Sequence, residues 1–273
     1  MKSHKFIHSN NPVAEVKITK SSLLGEFVDE FLVEETPIAM VFNGISHVVM
    51  MASPSNLYDF AYGFAITEKI VSSVDDIYGV DINVKDHGIE LEINISSESF
   101  EKLKEVRRNL TGRTGCGLCG AESLNQVINL PVDQIKNSYI FSSEKILIAI
   151  EKFSSKQEMQ SKTGSTHACA ICSQNGEIKL IREDVGRHNA LDKLIGAVIK
   201  NNLLEPDDFV LISSRASYEM LQKFAFLNLG LIAAISAPTA LAVRLADSLD
   251  ITLIGFAKGK KFNIYSHERR VTG

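Results

Sequence analysis

The chain has 273 residues, 45% of them hydrophobic, and a formal net charge of −4. That size supports one large core or two moderate ones, and the weak negative charge offers a polyanion no global field, so nucleic acid is excluded as a main partner. No apolar run approaches the ~20 residues that span a bilayer, and the polar Met1 to Asn11 opening lacks a signal-peptide core. No membrane partner and a cytoplasmic location are therefore expected, with the four cysteines present as reduced thiols.

The first part alternates strands, hairpins and helices. Val16 and Ile18 alternate as in a strand, and Pro37 to Phe42 turns through Asn43-Gly44 into Ile45 to Met51, a strong hairpin signal. Ser53-Pro54-Ser55 offers a cap and an early-helix proline for a helix whose Leu57, Phe60, Ala61, Phe64 and Ala65 share a face. A second hairpin joins Ile82 and Val84 through Asp86-His87-Gly88 to Ile89, Leu91, Ile93 and Ile95. The helix after it ends in the basic stretch Lys102 to Arg113 and runs directly into Gly115-Cys116-Gly117-Leu118-Cys119-Gly120.

Beyond Gly120 a helix carries Leu124, Val127 and Ile128 on one face, and a linker follows around Pro131 to Ser138. Ala168 to Ser173 and Glu177 to Arg182 form a hairpin about Asn175-Gly176, and Leu191, Leu194, Ile195 and Val198 mark a helix. Strands at Phe209 to Ile212, Leu231 to Ile235 and Ile251 to Phe256 alternate with helices at Tyr218 to Leu229 and Pro238 to Leu249, the latter with proline in its first turn. The expected class is α/β, α+β overall. An N-terminal α+β portion (1–110), a mobile Cys-x-x-Cys loop (111–120) and an α/β domain (121–273) divide the chain.

The glycines around Cys116 and Cys119 free the backbone to present a thiol, which leaves three readings: a mobile nucleophile, half of a metal site, or a packed turn. A second pair, Cys169 and Cys172, suggests a four-sulfur zinc site, but side chains alternate along a strand, so these two point to opposite faces and are expected in the core. A site of Cys116, Cys119 and His167 with one further ligand stays open. Arg107, Arg108 and Arg113 precede Cys116 and would favour its thiolate, since a free cysteine of pKa ~8.5 is mostly protonated at neutral pH; a solvated helix face explains them too. Cys119, beside a helix start, could be stabilised as an anion as well, so local chemistry does not choose the attacking thiol.

Three loops follow strands where α/β sheets bind ligands. Glu183 to Ala190 packs an acid, Gly186, Arg187 and His188 at a strand-to-helix junction; Ser213, Ser214, Arg215, Ala216 and Ser217 offer hydroxyls, amides and a cation to a phosphate; Gly255 to Lys261 carries lysines and glycines after an apolar strand. A helix cap with salt bridges and a solvated turn are the plain alternatives for the first and third. No Walker loop, G-x-G-x-x-G or nucleophile elbow is present.

From about Glu35 to His267 the sequence resembles the formate dehydrogenase accessory sulfurtransferases, the FdhD family. The resemblance rests on Pro37-Ile38-Ala39 with Asn43-Gly44-Ile45-Ser46-His47, on Gly112 to Gly120, on Glu183 to His188, on Ser213 to Met220 and on Leu253-Ile254-Gly255-Phe256. It implies a cytidine-deaminase-like three-layer α/β domain with a smaller N-terminal portion, and a homodimer. It also implies a sulfurtransferase that accepts sulfur from an IscS-type cysteine desulfurase as a Cys116 persulfide, with Cys119 auxiliary. The sulfur would pass to Mo-bis(molybdopterin guanine dinucleotide), bound as substrate, before that molybdenum cofactor enters the formate dehydrogenase apoprotein. Phe256, Ala257, Lys258, Gly259, Lys260 and Lys261 match the family's cofactor-binding segment, and Arg187, His188, Ser214 and Arg215 join them as candidates. The family usually has no cysteine at position 169, and a cysteine replaces the glutamate that zinc deaminases place after His-Ala, so neither a permanent metal nor deamination is expected. Two other functions compete: a cofactor-binding chaperone with structural thiols, and a thiol-disulfide oxidoreductase cycling Cys116 and Cys119.

Overall fold

The computed structural model describes residues 11–23, 25–111, 134–135 and 139–273. Strands β1 (Val13–Ile18) and β2 (Val28–Val33) pair antiparallel as a separate ribbon. β3 (Thr36–Phe42) and β4 (Ile45–Ala52) form the Asn43-Gly44 hairpin, both turn residues at positive φ as a tight turn between twisted strands requires. Helix α1 (Leu57–Thr67) follows, then β5 (Ile77–Lys85), β6 (Gly88–Ile95) and α2 (Ser97–Thr111). The four-stranded sheet has the order β4-β3-β6-β5, and α1 closes its core around Ile38, Met40, Phe42, Phe60, Phe64, Leu91 and Ile93.

The C-terminal part is a three-layer α/β domain, mixed as expected. β7 (Phe141–Ser142) leads to α3 (Ser143–Ser155), α4 (Glu158–Thr163), β8 (His167–Cys172), β9 (Ile178–Asp184) and α5 (Arg187–Lys200). Then come β10 (Phe209–Ile212), α6 (Tyr218–Phe224), β11 (Leu231–Ala234), α7 (Ala240–Ser248), β12 (Thr252–Lys258), β13 (Lys261–Ser266) and β14 (Val271–Thr272), which pairs with β7. The six-stranded sheet runs β13-β12-β11-β10-β8-β9, with β10, β11 and β12 parallel. Helices α5, α6 and α7 cover one face and α3 the other, so the central strands are apolar on both sides.

Three expectations are corrected. Ser53-Pro54-Ser55 does not open α1: the helix begins at Leu57 behind Asn56, which is left-handed and makes no side-chain cap. Ser53 is instead buried against the second sheet's rim, where Val185 N–H donates to its hydroxyl at 3.1 Å. Pro238 is not in the first turn of α7 either; Thr239 caps that helix by accepting from Ala242 N–H, and Pro238 bridges to Ala216. Helix α6 is shorter than expected, ending at Phe224 before a 3-10 turn over Ala225–Leu227.

The two sheets meet where α1 crosses α5. A Cβ on Gly63 would stand 1.8 Å from the Asp192 carbonyl oxygen, and one on Gly196 would stand 1.9 Å from that of Asp59. Only glycine permits that approach. Charged groups line the same seam: Arg182 Nε donates to Asp59 at 2.8 Å, Lys193 Nζ lies 2.6 Å from Asp184, and Lys223 Nζ donates to Thr67, Glu68 and Asp192.

Candidate functional site

Strand direction builds the site. β8 is antiparallel to β10 and to β9, so the C-terminal ends of β9, β10, β11 and β12 share one edge with the start of β8. That edge receives His167, the turn Asp184 to His188, the loop Ser213 to Ser217, the loop Ile235 to Pro238, and Phe256 to Lys261. Backbone bonds stitch the loop roots together. Ser213 N–H donates to Ala168 O at 2.9 Å, Ile235 N–H to Ile212 O at 2.9 Å, Thr239 N–H to Ala216 O at 3.0 Å and Phe256 N–H to Ser236 O at 3.0 Å.

Arg187 is the first residue of α5, and its Nε is shielded from solvent without a hydrogen-bond partner among the described residues. Its charge reaches two imidazoles. Burial first, then Arg187, holds His167 below the usual histidine value, with Asp184 opposing; His188 is lowered in the same way, with Glu219 opposing. Both rings are thus favoured as neutral imidazole at neutral pH. His188 Nε2 lies 2.9 Å from Glu219, and His167 Nδ1 lies 3.5 Å from Ser213 Oγ, which accepts from Ala168 N–H at 2.9 Å.

Two clefts open beside this turn. One of about 420 Å³ is lined by Asp192 and Lys223 together with His188, Glu219, Phe64 and Met50. The other, of about 370 Å³, is lined by neutral polar groups, Gln157, Gln160, Ser165, Thr166, His167 and Ser213. Ser214 is buried and its hydroxyl donates to Arg215 O at 3.0 Å, while Arg215 is exposed. Lys258, Gly259, Lys260 and Lys261 are exposed around the hairpin turn between β12 and β13 and line neither cleft; Ala257 is buried. Phe256 sits half exposed at φ 51, a left-handed conformation that a bulky residue keeps only where its surroundings impose it. The structure therefore gathers Arg187, His188 and His167 closely and leaves the lysine turn farther along the same sheet edge.

The acids of the Glu183-Asp184 motif are not free for chemistry. Glu183 accepts from Met159 and Gln160 N–H and from Thr166 Oγ1, capping α4. Asp184, fully buried, accepts from Ser53 and Gly186 N–H, Asn189 Nδ2 and Lys193. Asp192, Lys193 and Lys223 escaped the sequence reading, because charged residues on a helix read as a solvated face. Burial pushes the Asp192 carboxyl up and the Lys193 ammonium down, whereas for Lys223 burial is outweighed by Asp192 and Glu68 and the net shift is upward.

Cys116 and Cys119 lie outside the described residues, as do Arg113 and the helix expected at Leu124 to Ile128. Cys169 and Cys172 are both buried and free of disulfides, and they do point to opposite faces: Cys169 packs under α5 to α7, Cys172 under α3. Burial, with Asp192 and Asp208 adding, pushes both thiols far above their ordinary value. Among the described residues no helix is long and apolar enough to cross a membrane.

The sequence profile of the FdhD/NarQ family matches residues 33–272. Sulfur carrier protein FdhD of Cupriavidus necator is 49% identical over 238 residues, covering 87% of this chain and 82% of its own. The protein of the same name from Shewanella oneidensis is 41% identical over 268 residues, covering 97% and 95%. A crystal structure from Desulfotalea psychrophila, provisionally named a formate dehydrogenase accessory protein, aligns with a TM-score of 0.74 over 95% of this chain and 98% of its own. At 20% identity that likeness shows the fold.

Proposed function

Because the chain belongs to the FdhD/NarQ family, we propose that it is a sulfur carrier serving formate dehydrogenase maturation, with Cys116 as the carrying thiol. One observation carries this most: the glycine-flanked Cys116 and Cys119 occur in a chain 49% identical to a protein named as a sulfur carrier, while the other two thiols are buried in the sheet. The Cys116 thiolate attacks the outer sulfur of a persulfide on an IscS-type cysteine desulfurase. A new S–S bond forms at Cys116, the donor's S–S bond breaks, and the donor leaves as thiolate, so the step is redox neutral. In release, the Cys119 thiolate attacks Cys116 Sγ, forms the Cys116–Cys119 disulfide and expels hydrosulfide; a dithiol reductant then restores both thiols.

The acceptor in this reading is Mo-bis(molybdopterin guanine dinucleotide), held as substrate and passed on to the formate dehydrogenase apoprotein. The rim's chemistry suits an anionic dinucleotide. Arg187 carries a shielded Nε with no partner among the described residues, Arg215 is exposed, and Lys258, Lys260 and Lys261 stand out from the same sheet edge. Ser214 and His188 would shape that surface, and Phe256 offers an exposed ring. A homodimer in the cytoplasm completes the proposal.

The test is intact mass after incubation with cysteine and a desulfurase. A gain of one sulfur is expected in the native protein and in Cys119→Ala, and none in Cys116→Ala. Retained gain in Cys116→Ala would sink the carrier assignment. Full enzyme maturation by a double Cys116→Ala, Cys119→Ala variant would favour the chaperone reading instead.

A further inference from the structure

We propose that the buried Asp184–Lys193 pair is a positioning device: it ties the Arg187-His188 turn to the N-terminal sheet and so fixes where the rim presents its guanidinium and imidazole. Both side chains are fully buried, with Lys193 Nζ 2.6 Å from Asp184 Oδ2. Their remaining bonds run in two directions. Toward the rim, Asp184 Oδ1 accepts from Gly186 N–H at 2.8 Å and from Asn189 Nδ2 at 3.0 Å, which holds the first turn of α5 on both sides of Arg187 and His188. Toward the N-terminal sheet, Asp184 Oδ2 accepts from Ser53 N–H at 3.0 Å, and Lys193 Nζ donates to Ser53 O at 2.9 Å. Two further bonds double the tie: Val185 N–H donates to Ser53 Oγ at 3.1 Å, and Asn189 Nδ2 to Met51 O at 2.8 Å.

A stability role alone would not need that arrangement. The seam already has Asp59–Arg182, Lys223 with Asp192, and the Gly63 and Gly196 crossing, none of which bonds to residues 185–188. The Asp184–Lys193 pair alone in this set reaches the Arg187-His188 turn, so the position of the Arg187 charge depends on a segment of the other sheet. The link to sulfur delivery rests on the function proposed above; the positioning itself does not.

His188 reports the place of Arg187 without any ligand: burial is the first cause that holds its imidazole below the usual value, the nearby guanidinium is the second, Lys223 adds to them and Glu219 opposes. The experiment titrates His188 by NMR in the full chain. The double substitution Asp184→Leu with Lys193→Met removes every bond that the pair makes to Ser53, Gly186 and Asn189 and leaves no orphaned charge, whereas Asp59→Leu with Arg182→Met removes a tie on the same seam that does not touch the turn. The first pair is expected to move His188 up by the share that Arg187 contributes, burial continuing to hold it below the usual value, and the second to leave it unchanged. Should the first pair fail to fold, Ser53→Ala deletes only the acceptor for Val185 N–H and is expected to shift His188 the same way by less.

Equal shifts in both pairs, or none in the first, would overturn the proposal, as would an unmoved His188 in Ser53→Ala if that is the variant that folds. In parallel, sulfur loading by a desulfurase is expected to stay intact in the first pair while affinity for guanosine diphosphate, used as probe, falls roughly tenfold or more, as for a lost charge-assisted hydrogen bond. A native protein that neither loads sulfur nor binds the probe would remove the proposed function, and the His188 titration would still decide the role of the pair.

Discussion

Two cysteine pairs share the same spacing and differ in the sequence around it. Cys169 and Cys172 sit on β8 in the middle of a sheet covered on both faces, where strand alternation sends one thiol under α5 to α7 and the other under α3. Cys116 and Cys119, outside the described residues, stand in the sequence among Gly115, Gly117 and Gly120 after a basic stretch, a composition from which a thiol able to meet a partner is expected. Spacing alone therefore says little about sulfur chemistry. Backbone class and burial decide whether a C-x-x-C is packing or a reactive group.

The comparison predicts that substitutions in the buried sheets change stability without changing sulfur loading per folded molecule, and that Cys116 does the reverse. The largest stability effect is expected from Lys193→Met alone, which strands the buried Asp184 carboxylate and should cost about 3–5 kcal/mol in chemical denaturation. Gly196→Ala comes next, because its Cβ would overlap the Asp59 carbonyl and force the helices apart, at about 3 kcal/mol. Cys169→Ser puts a hydroxyl in an apolar site and should cost about 1–3 kcal/mol, while sulfur loading measured by mass stays intact. If Cys169→Ser folds normally and loses loading, the division between the pairs fails.

The smallest effect concerns pH. His167 and His188 have lowered folded-state values, so below the ordinary imidazole range the unfolded chain binds protons that the native rim resists. Stability should be fully present above about pH 7 and fall as pH drops from about 6.5 toward the lower folded values. Denaturation midpoints across that window check the sign. A protein equally stable or more stable at the acid end would mean that the rings are not held neutral.

How much of this was legible depended on whether local pattern or tertiary contact set the outcome. The Asn43-Gly44 hairpin, the strand Phe209–Ile212 and the opposed faces of Cys169 and Cys172 follow from local turn chemistry and strand alternation. Helix α3 was legible and missed: Ile146, Ala149, Ile150 and Phe153 keep helical spacing and all are buried. Ser53-Pro54 was misread because the Ser53 hydroxyl, the would-be cap, accepts instead from a long-range partner, Val185 N–H, which no local pattern reveals. At the site, Arg187, His188 and Ser214 do come to one sheet edge, as strand-to-helix junctions suggested. The tie beneath them, Asp184 with Lys193, depends on residues from both sheets and appears only once the chain is folded.

The most direct measurement is to load the protein with sulfur from a desulfurase, block accessible thiols under native conditions, and map the extra sulfur by peptide mass spectrometry. The account predicts it on Cys116, with Cys169 and Cys172 unmodified until the protein is unfolded. Sulfur found on Cys169 or Cys172, or loading that persists in Cys116→Ala, would contradict it.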